Sequence, residues 1–496
     1  MGWLLFSLLA ASWSFATPIA ASPDEPAHIV KAASVVRGQL IGEPSFRGHV
    51  VQVPRYIAST QAETCFAFKP SVSAGCAAPL PGPGGEIIDG TTTAGLYNPV
   101  YYSLVGWPSL LASDASGIYA MRIASGVLTS LFLAFSAMFA YGWLRNRLPL
   151  AAIALATPPM VLFLAGSVNP NGIETSATLA VFTGMLTIAL QQNQALLTER
   201  SLIVLAAAAL AVNSRGLSPL WVAIAVLLPL AMLNWGQIRT LLRKRMVLVT
   251  AGGIALATAF AVFWLVHSSS LTSAIDGDGF QNFPGVGESW LTGFAFVLRS
   301  TFGYAQDMIG NFGWLDTAAP DSVYVVWVVF VGALLLSAFA FLRGRALMVA
   351  ITLAGTFTLV PAIIQGFYIT GGGIIWQGRY ALPLLGYLVF GVAALLSARV
   401  GTAPRRAMKR LALLAWSCWA IAQYFSFAVA LRRYAVGFDG AWRDMLFSAD
   451  WDAPGGNLLW LGVFAVLLAF TGWLGWRLGE FSDPGRLADR SGRLIP

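Results

Sequence analysis

The sequence predicts an all-α polytopic membrane protein with about twelve transmembrane helices, and three observations lead there. Hydrophobic residues make up 57% of the chain and charged residues 10%, where soluble domains carry roughly a quarter charged residues. Apolar runs of about 20 residues, the length that spans a bilayer, recur along nearly the whole chain. Lys and Arg gather in alternate connections between those runs. Helices are the element expected, because in lipid each must satisfy its own backbone donors and acceptors. The formal net charge of +8 does not point to nucleic acid: no basic stretch interleaved with aromatics lies outside the spans, and topology accounts for much of the excess.

The predicted spans are 1–21, 117–143, 148–166, 172–191, 201–214, 217–233, 246–267, 321–342, 346–368, 380–398, 411–430 and 457–476. The fifth is short enough to be half of a broken helix, with Asn213-Ser214-Arg215-Gly216 as the break. The first lacks the positive flank of a signal peptide and reads as a retained anchor. With the N-terminus in the cytoplasm, the inner connections collect Arg145, Arg147, Arg200, Arg239, Arg243, Lys244, Arg245, Arg343, Arg345, Arg399, Arg405, Arg406, Lys409 and Arg410. Most Asp and Glu then fall outside. This is one domain, 1–476, in the cell membrane, with large extracytoplasmic segments at 22–116, 268–320 and 431–456 and a short cytoplasmic tail, 477–496, read as disordered. No internal repeat is visible. In the first large segment, Cys65 and Cys76 read as a disulfide closing a small loop. The Pro- and Gly-rich stretch 79–85 predicts irregular chain flanked by short surface helices. Cys418, in an apolar span, reads as packing.

Polar clusters collect at span ends on the outer side. They are Asp24-Glu25 with His28, Tyr97-Asn98-Pro99-Val100-Tyr101-Tyr102, Ser167-Val168-Asn169-Pro170-Asn171-Gly172-Ile173-Glu174, and Asn213-Ser214-Arg215. Further along come Asn311-Phe312-Gly313-Trp314-Leu315-Asp316-Thr317 and Trp376-Gln377-Gly378-Arg379-Tyr380. An ionisable pair at the bilayer edge is costly and marks a functional site by default. A bundle without a site would scatter such residues over both faces.

Four of these segments, Pro23-Asp24-Glu25-Pro26-Ala27-His28, Asn169-Pro170-Asn171-Gly172, Phe312-Gly313-Trp314-Leu315-Asp316-Thr317 and Gln377-Gly378-Arg379-Tyr380-Ala381-Leu382-Pro383, occur in an order that resembles the actinobacterial DUF2142 membrane proteins. That group in turn resembles the GT-C glycosyltransferases. The resemblance implies a GT-C-like fold and transfer of a sugar from a polyprenyl-phosphate donor to a cell-envelope glycan, lipid or protein acceptor on the outer face. That chemistry needs a carboxylate to accept the proton of the attacking hydroxyl, cationic groups for the departing phosphate and a groove for the lipid chain.

Asp24 is the expected base, with Glu25 able to exchange roles or to raise its neighbour's pKa by like-charge repulsion. Arg379 is the expected phosphate ligand, its planar fork matching phosphate oxygens, and Arg215 the second; Arg122 and Arg299 rank below them. His28, Tyr97, Asn98, Tyr101, Asn169, Asn171, Trp314, Asp316, Gln377 and Tyr380 are the expected substrate contacts, with Trp314 and Asp316 suited to a sugar face and its hydroxyls. Each also has a plain structural reading as cap, snorkelling cation or interfacial aromatic. Asp276-Gly277-Asp278-Gly279 stops short of a calcium loop and reads as a mobile loop. No metal site is assigned and no cofactor is fixed, with Mg²⁺ or Mn²⁺ left open. The alternatives are a transporter or flippase of lipid-linked glycans and a non-catalytic envelope-assembly protein.

Overall fold

The computed structural model describes residues 1–142, 148–191, 194–270, 283–400 and 405–480. Arg145, Arg147, the Asp276-Gly277-Asp278-Gly279 segment and the chain beyond residue 480 lie outside the described residues. Leaving single turns aside, the chain opens with α1 (Gly2–Ala16), crosses a linker and enters α2 (Glu25–Val35). A small sheet of β1 (Glu43–Ser45), β2 (Gly48–Pro54) and β3 (Ile87–Thr92) follows, then α3 (Pro99–Gly106). Next come α4 (Ala115–Tyr141), α5 (Leu148–Ala156), α6 (Pro159–Ala165), α7 (Pro170–Leu190), α8 (Leu197–Val212), α9 (Ser218–Leu230), α10 (Trp235–Leu242) and α11 (Arg245–His267). The second half holds α12 (Trp290–Arg299), α13 (Thr301–Gly310), a hairpin of β4 (Asn311–Phe312) and β5 (Thr317–Ala318), α14 (Asp321–Phe341), α15 (Gly344–Gly372), α16 (Leu382–Val400), α17 (Arg405–Val436), α18 (Trp442–Phe447) and α19 (Asn457–Glu480).

Among the described residues eight helices are long and apolar enough to cross a membrane, and ten spans result if α5–α6 and α9–α10 each count once. The protein is a multi-pass, all-α membrane protein. Each of the twelve predicted spans contains a helix, but two fall short of spanning length. α1 has 15 residues and α8 has 16, roughly 22–24 Å at 1.5 Å per residue, against a hydrocarbon core of about 30 Å.

Of the eight long helices the most buried are α7 and α16. Nothing in a helix as apolar as α7 selects one face, and it is enclosed all round. Its hydroxyls turn back on the helix: Thr178, Thr183 and Thr187 donate to the carbonyls of Glu174, Leu179 and Thr183 at 2.7–2.9 Å. Between α5 and α6, Pro158 and Pro159 remove two backbone donors and the chain bends by 63°. The carbonyls released there find side chains instead. Leu155 O accepts from Trp327 Nε1 at 2.9 Å, and Thr157 O accepts from Trp419 Nε1 at 2.9 Å and Gln423 Nε2 at 3.0 Å. This is the repair that an irregular backbone in a bilayer requires.

The first large segment departs from expectation. It holds an antiparallel sheet in the order β1-β2-β3, where surface helices and irregular chain were predicted. The pattern was present: Val51 and Val53 are buried while Gln52 between them is exposed, the period of a half-buried strand. α2 packs on the sheet at Gly90, where an added Cβ would meet Val30 Cγ1 of α2 at 3.4 Å and, from the neighbouring strand, Val53 Cγ2 at 2.6 Å. The stretch 79–85 is irregular, as predicted. Cys65 and Cys76 form the predicted disulfide, with Cα atoms 6.2 Å apart, and Cys418 is a free thiol. A second departure is α17, which continues past residue 430 to Val436. Arg433 is thereby on a helix rather than in the third large segment.

Candidate functional site

The site is built around a corner between α1 and α2. Arg122, on the second turn of α4, is fully buried and donates all five of its N–H bonds. Nε and Nη2 hold Glu25 Oε1 and Oε2 at 2.7 and 2.6 Å. Nη1 reaches Ser14 O and Thr17 O at 2.8 and 2.7 Å, and Nη2 also reaches Pro18 O at 2.7 Å. Glu25 is equally buried, and its Oε1 accepts a further bond from Val168 N at 3.1 Å. The pair satisfies the last carbonyls of α1 and pins the first turn of α2 to α4 and to the entrance of α7. Glu25 is therefore fully engaged by protein donors, and its charge is neutralised by Arg122 rather than repelling Asp24.

Asp24, immediately before α2, has left-handed backbone (φ 62°, ψ 2°), a conformation that few residues other than Gly, Asn and Asp adopt cheaply. The turn sends its side chain away from Glu25. The side chain is 48% exposed and accepts from Arg379 Nη2 at 2.5 Å. Burial of its surroundings opposes ionisation, but Arg379, with Arg215 beyond it, more than compensates and holds the carboxyl below its ordinary value. The expected upward shift from Glu25 is thus reversed. Arg379 is almost wholly buried. Its Nη1 lies 3.5 Å from Pro23 O, and its Nε is buried with no partner. Gly378 makes this reach possible, since any Cβ there would collide with Tyr304 O and Asp307 Cβ.

Arg215, in the turn between α8 and α9, donates to Asn171 Oδ1 and lies 3.7 Å from Glu174 Oε2. Ser218 Oγ donates to Glu174 Oε1 at 2.5 Å and accepts from Arg215 N at 3.1 Å. Both guanidinium groups lie over the Tyr380 ring, Arg215 at 4.5 Å and Arg379 at 5.3 Å from its centroid. Asn169 caps α7 by accepting from Asn171 N at 3.0 Å, and its Nδ2 donates to Pro23 O at 2.9 Å, tying α7 to the linker before Asp24. On α2, His28 Nδ1 bonds Tyr102 Oη at 2.9 Å and its ring lies 5.9 Å from that of Tyr97. Burial drives the imidazole down to about 3, against a partial opposing pull from Asp24, so it is neutral at physiological pH.

A cavity of about 230 Å³ opens beside this cluster. Its polar end is Arg215, Glu174, Tyr97 and Tyr380, and its walls include Leu217, Trp221 and Ile364. Asn98 also lines it and donates to Asn213 Oδ1 at 2.8 Å. The structure therefore brings Asp24, His28, Tyr97, Asn98, Asn169, Asn171, Arg215, Arg379 and Tyr380 together. Gln377 is next to them in sequence and has a buried Oε1 without a partner.

Three expected contacts are otherwise engaged. Tyr101 Oη is bonded to Ser125 Oγ at 2.9 Å in the core. Trp314 Nε1 donates to Ala20 O at 3.1 Å, bracing the linker. Asp316 is paired with fully buried Arg433 at 3.0 Å, and Arg433 also donates to Phe66 O, Val72 O and Thr317 Oγ1. The hairpin turn is thereby fastened to the disulfide loop. Glu174, Ser218 and Tyr102 were not singled out as site residues from sequence. For Glu174 the signal was its place one turn after Asn171 inside an apolar span. Among the described residues no three His, Cys, Asp or Glu side chains come together to hold a metal ion. The nearby acids Asp24, Glu25 and Glu174 each face an arginine, so the cluster does not fit a divalent cation.

Two outcomes follow. Removing one member of a buried ion pair strands the other charge, at a cost of about 3–5 kcal/mol. Glu25→Gln and Arg122→Met should therefore each lower the melting temperature in detergent sharply, and the double variant should recover part of the loss. Additive losses would show that the two residues do not act as a pair. His28 binds a proton more weakly folded than unfolded, so the folded state should lose stability as pH falls below about 6.5 towards 3. His28→Phe should flatten the melting profile in that window, and an unchanged slope would contradict the assignment.

Comparison with known proteins adds the family. The structure of ArnT from Cupriavidus metallidurans bound to undecaprenyl phosphate is similar at 14% identity and a TM-score of 0.45, covering 100% of this chain and 80% of that one. The apo structure of the same protein gives 14% and 0.44, with 97% and 76% covered. A search of curated proteins finds no match. The model of the family described as predicted membrane protein DUF2142 matches residues 6–390, and the chain belongs to that family.

Proposed function

We propose that this protein is an integral-membrane glycosyltransferase of GT-C type, with residues 1–476 as one domain, transferring a sugar from a polyprenyl-phosphate donor to an acceptor in the cell envelope. The observation that carries the proposal is the gathering of a half-exposed carboxylate and two guanidinium groups around Tyr380, which with Arg215 lines an adjoining, mostly apolar cavity. Of the arginines described above, Arg122 has spent every donor on the protein, while Arg379 retains a buried Nε with none. A spare donor in a dry site favours an anionic oxygen from outside. The distribution of Lys and Arg supports a site on the extracytoplasmic side.

In this reading the lipid phosphate sits against Arg379 and Arg215, and the isoprenoid chain leaves along the apolar walls. Tyr97, Tyr380, His28 and Asn98 surround the sugar, while Asn169 and Asn171 hold the backbone and Arg215 in position. The acceptor hydroxyl oxygen attacks the anomeric carbon as the bond to the phosphate oxygen breaks. The electron pair leaves on the phosphate, steadied by the two arginines, and Asp24 takes the hydroxyl proton. Glu25 holds the corner rigid. The resting Asp24–Arg379 contact lowers the basicity of Asp24; a phosphate that competes for Arg379 restores it. No step is routed through a metal ion.

One observation favours a second reading. Asp24 is already paired, as in a structural ion pair of a non-catalytic assembly protein. Turnover separates the two. With a panel of radiolabelled polyprenyl-phosphate sugars and envelope acceptor, Asp24→Asn should cut transfer by about 10²–10⁴-fold while donor binding is kept or tightened, because the variant no longer competes for Arg379. Arg379→Ala should weaken binding and turnover together, and Arg379→Lys should restore only part, because a point charge does not reproduce a fork. Full transfer by Asp24→Asn and by the Asp24→Asn/Glu25→Gln double variant would defeat the catalytic reading.

A further inference from the structure

A second cavity, of about 290 Å³, lies apart from the first, between the end of α1, the start of α4 and the disulfide loop. Its walls are apolar or aromatic, formed by Pro18, Phe66, Leu80, Tyr119 and Trp451 among others, and Glu63 is the one charged residue lining it. Glu63 is 8% exposed. Among the described residues its carboxylate has neither a hydrogen-bond partner nor an ion-pair partner. The cations nearest the walls do not serve it. Arg122, which lies over Tyr119, and Arg433, which lies over Phe66, direct their donors to Glu25, Asp316, Thr317 Oγ1 and backbone carbonyls. A carboxylate on so little exposed a residue, with no protein partner, is disfavoured in its charged form, and this partial burial raises its pKa.

We infer that this cavity is a binding site for a small organic cation, an ammonium group received by Glu63 and enclosed by Phe66, Tyr119 and Trp451. Three physical points select that class. One carboxylate among apolar walls matches one positive charge on an apolar body, and aromatic walls favour a desolvated ammonium. A neutral sugar would place most of its hydroxyls against Pro18, Leu80 and Ala77 without partners, which is unfavourable. A divalent ion demands six or more oxygen ligands, and Glu63 supplies two. The cysteine bridge, which closes the loop between Cys65 and Cys76, gives the cavity a fixed wall. The inference stands independently of the transferase reading.

The test is calorimetry on the full chain in phosphatidylglycerol nanodiscs, with choline as the probe and 3,3-dimethyl-1-butanol as its uncharged isostere. Choline should bind saturably in the millimolar range or tighter, with the isostere weaker by about tenfold or more. Glu63→Gln should abolish that preference while melting at the same temperature or higher, because it removes a partly buried charge that has no protein partner. A purely structural glutamate would lower the melting point instead. Adding phosphatidylcholine to the nanodiscs distinguishes the natural source of the ammonium. Competition with choline would identify a lipid headgroup, and unchanged choline binding a free amine. Equal binding of choline and its isostere, choline binding that survives Glu63→Gln, or no saturable binding at all would overturn the proposal.

Discussion

A guanidinium group taken out of water must find a partner for every N–H, and Arg122 finds all five within one corner of the molecule. The rest of the site depends on that requirement. Two of the bonds end on carbonyls that α1 leaves open at its C-terminus, those of Ser14 and Thr17, and a third on Pro18 just beyond. The other two hold Glu25, which fixes the direction of α2. Between the two helices the chain has to turn, and Asp24 absorbs the turn in a left-handed conformation. A two-residue acidic motif is thereby divided, with Glu25 drawn into the interior and Asp24 left at the surface facing Arg379.

The arginines of this end of the bundle separate by how many donors remain. Arg122 and Arg433 are fasteners, each joining segments distant in sequence and each fully buried. Arg379 and Arg215 are only partly used and meet over one tyrosine ring. Two like charges held this close are tolerable because Asp24 and Glu174 stand beside them. They also leave the region well suited to an incoming anion. The fasteners thus create the conditions under which the unspent pair exists.

The multi-pass character was legible from composition alone, and each predicted span holds a helix. The small sheet was not read, although Val51-Gln52-Val53 alternates as a strand should, because Pro and Gly in the same segment suggested irregular chain. The gathering of Asp24, Asn169, Arg215 and Arg379 was legible, since each flanks a span on the same predicted side. What sequence did not reveal was pairing. Asp24 and Glu25 look equivalent until Arg122, 97 residues away, takes one of them. Asp316 looks available until Arg433, 117 residues away, engages it. Such partnerships are set by tertiary packing, and no local pattern of residue types carries them. Arg433 was further concealed by a span boundary drawn too early.

The central claim is that Arg379 exchanges Asp24 for a lipid phosphate. The most direct measurement is an experimental structure of the protein with a polyprenyl phosphate bound. The account predicts phosphate density within hydrogen-bond distance of Arg379 and Arg215, the isoprenoid chain along Leu217 and Ile364, and Asp24 released from Arg379 towards the open side. A phosphate bound elsewhere, with the Asp24–Arg379 contact intact at 2.5 Å, would contradict it.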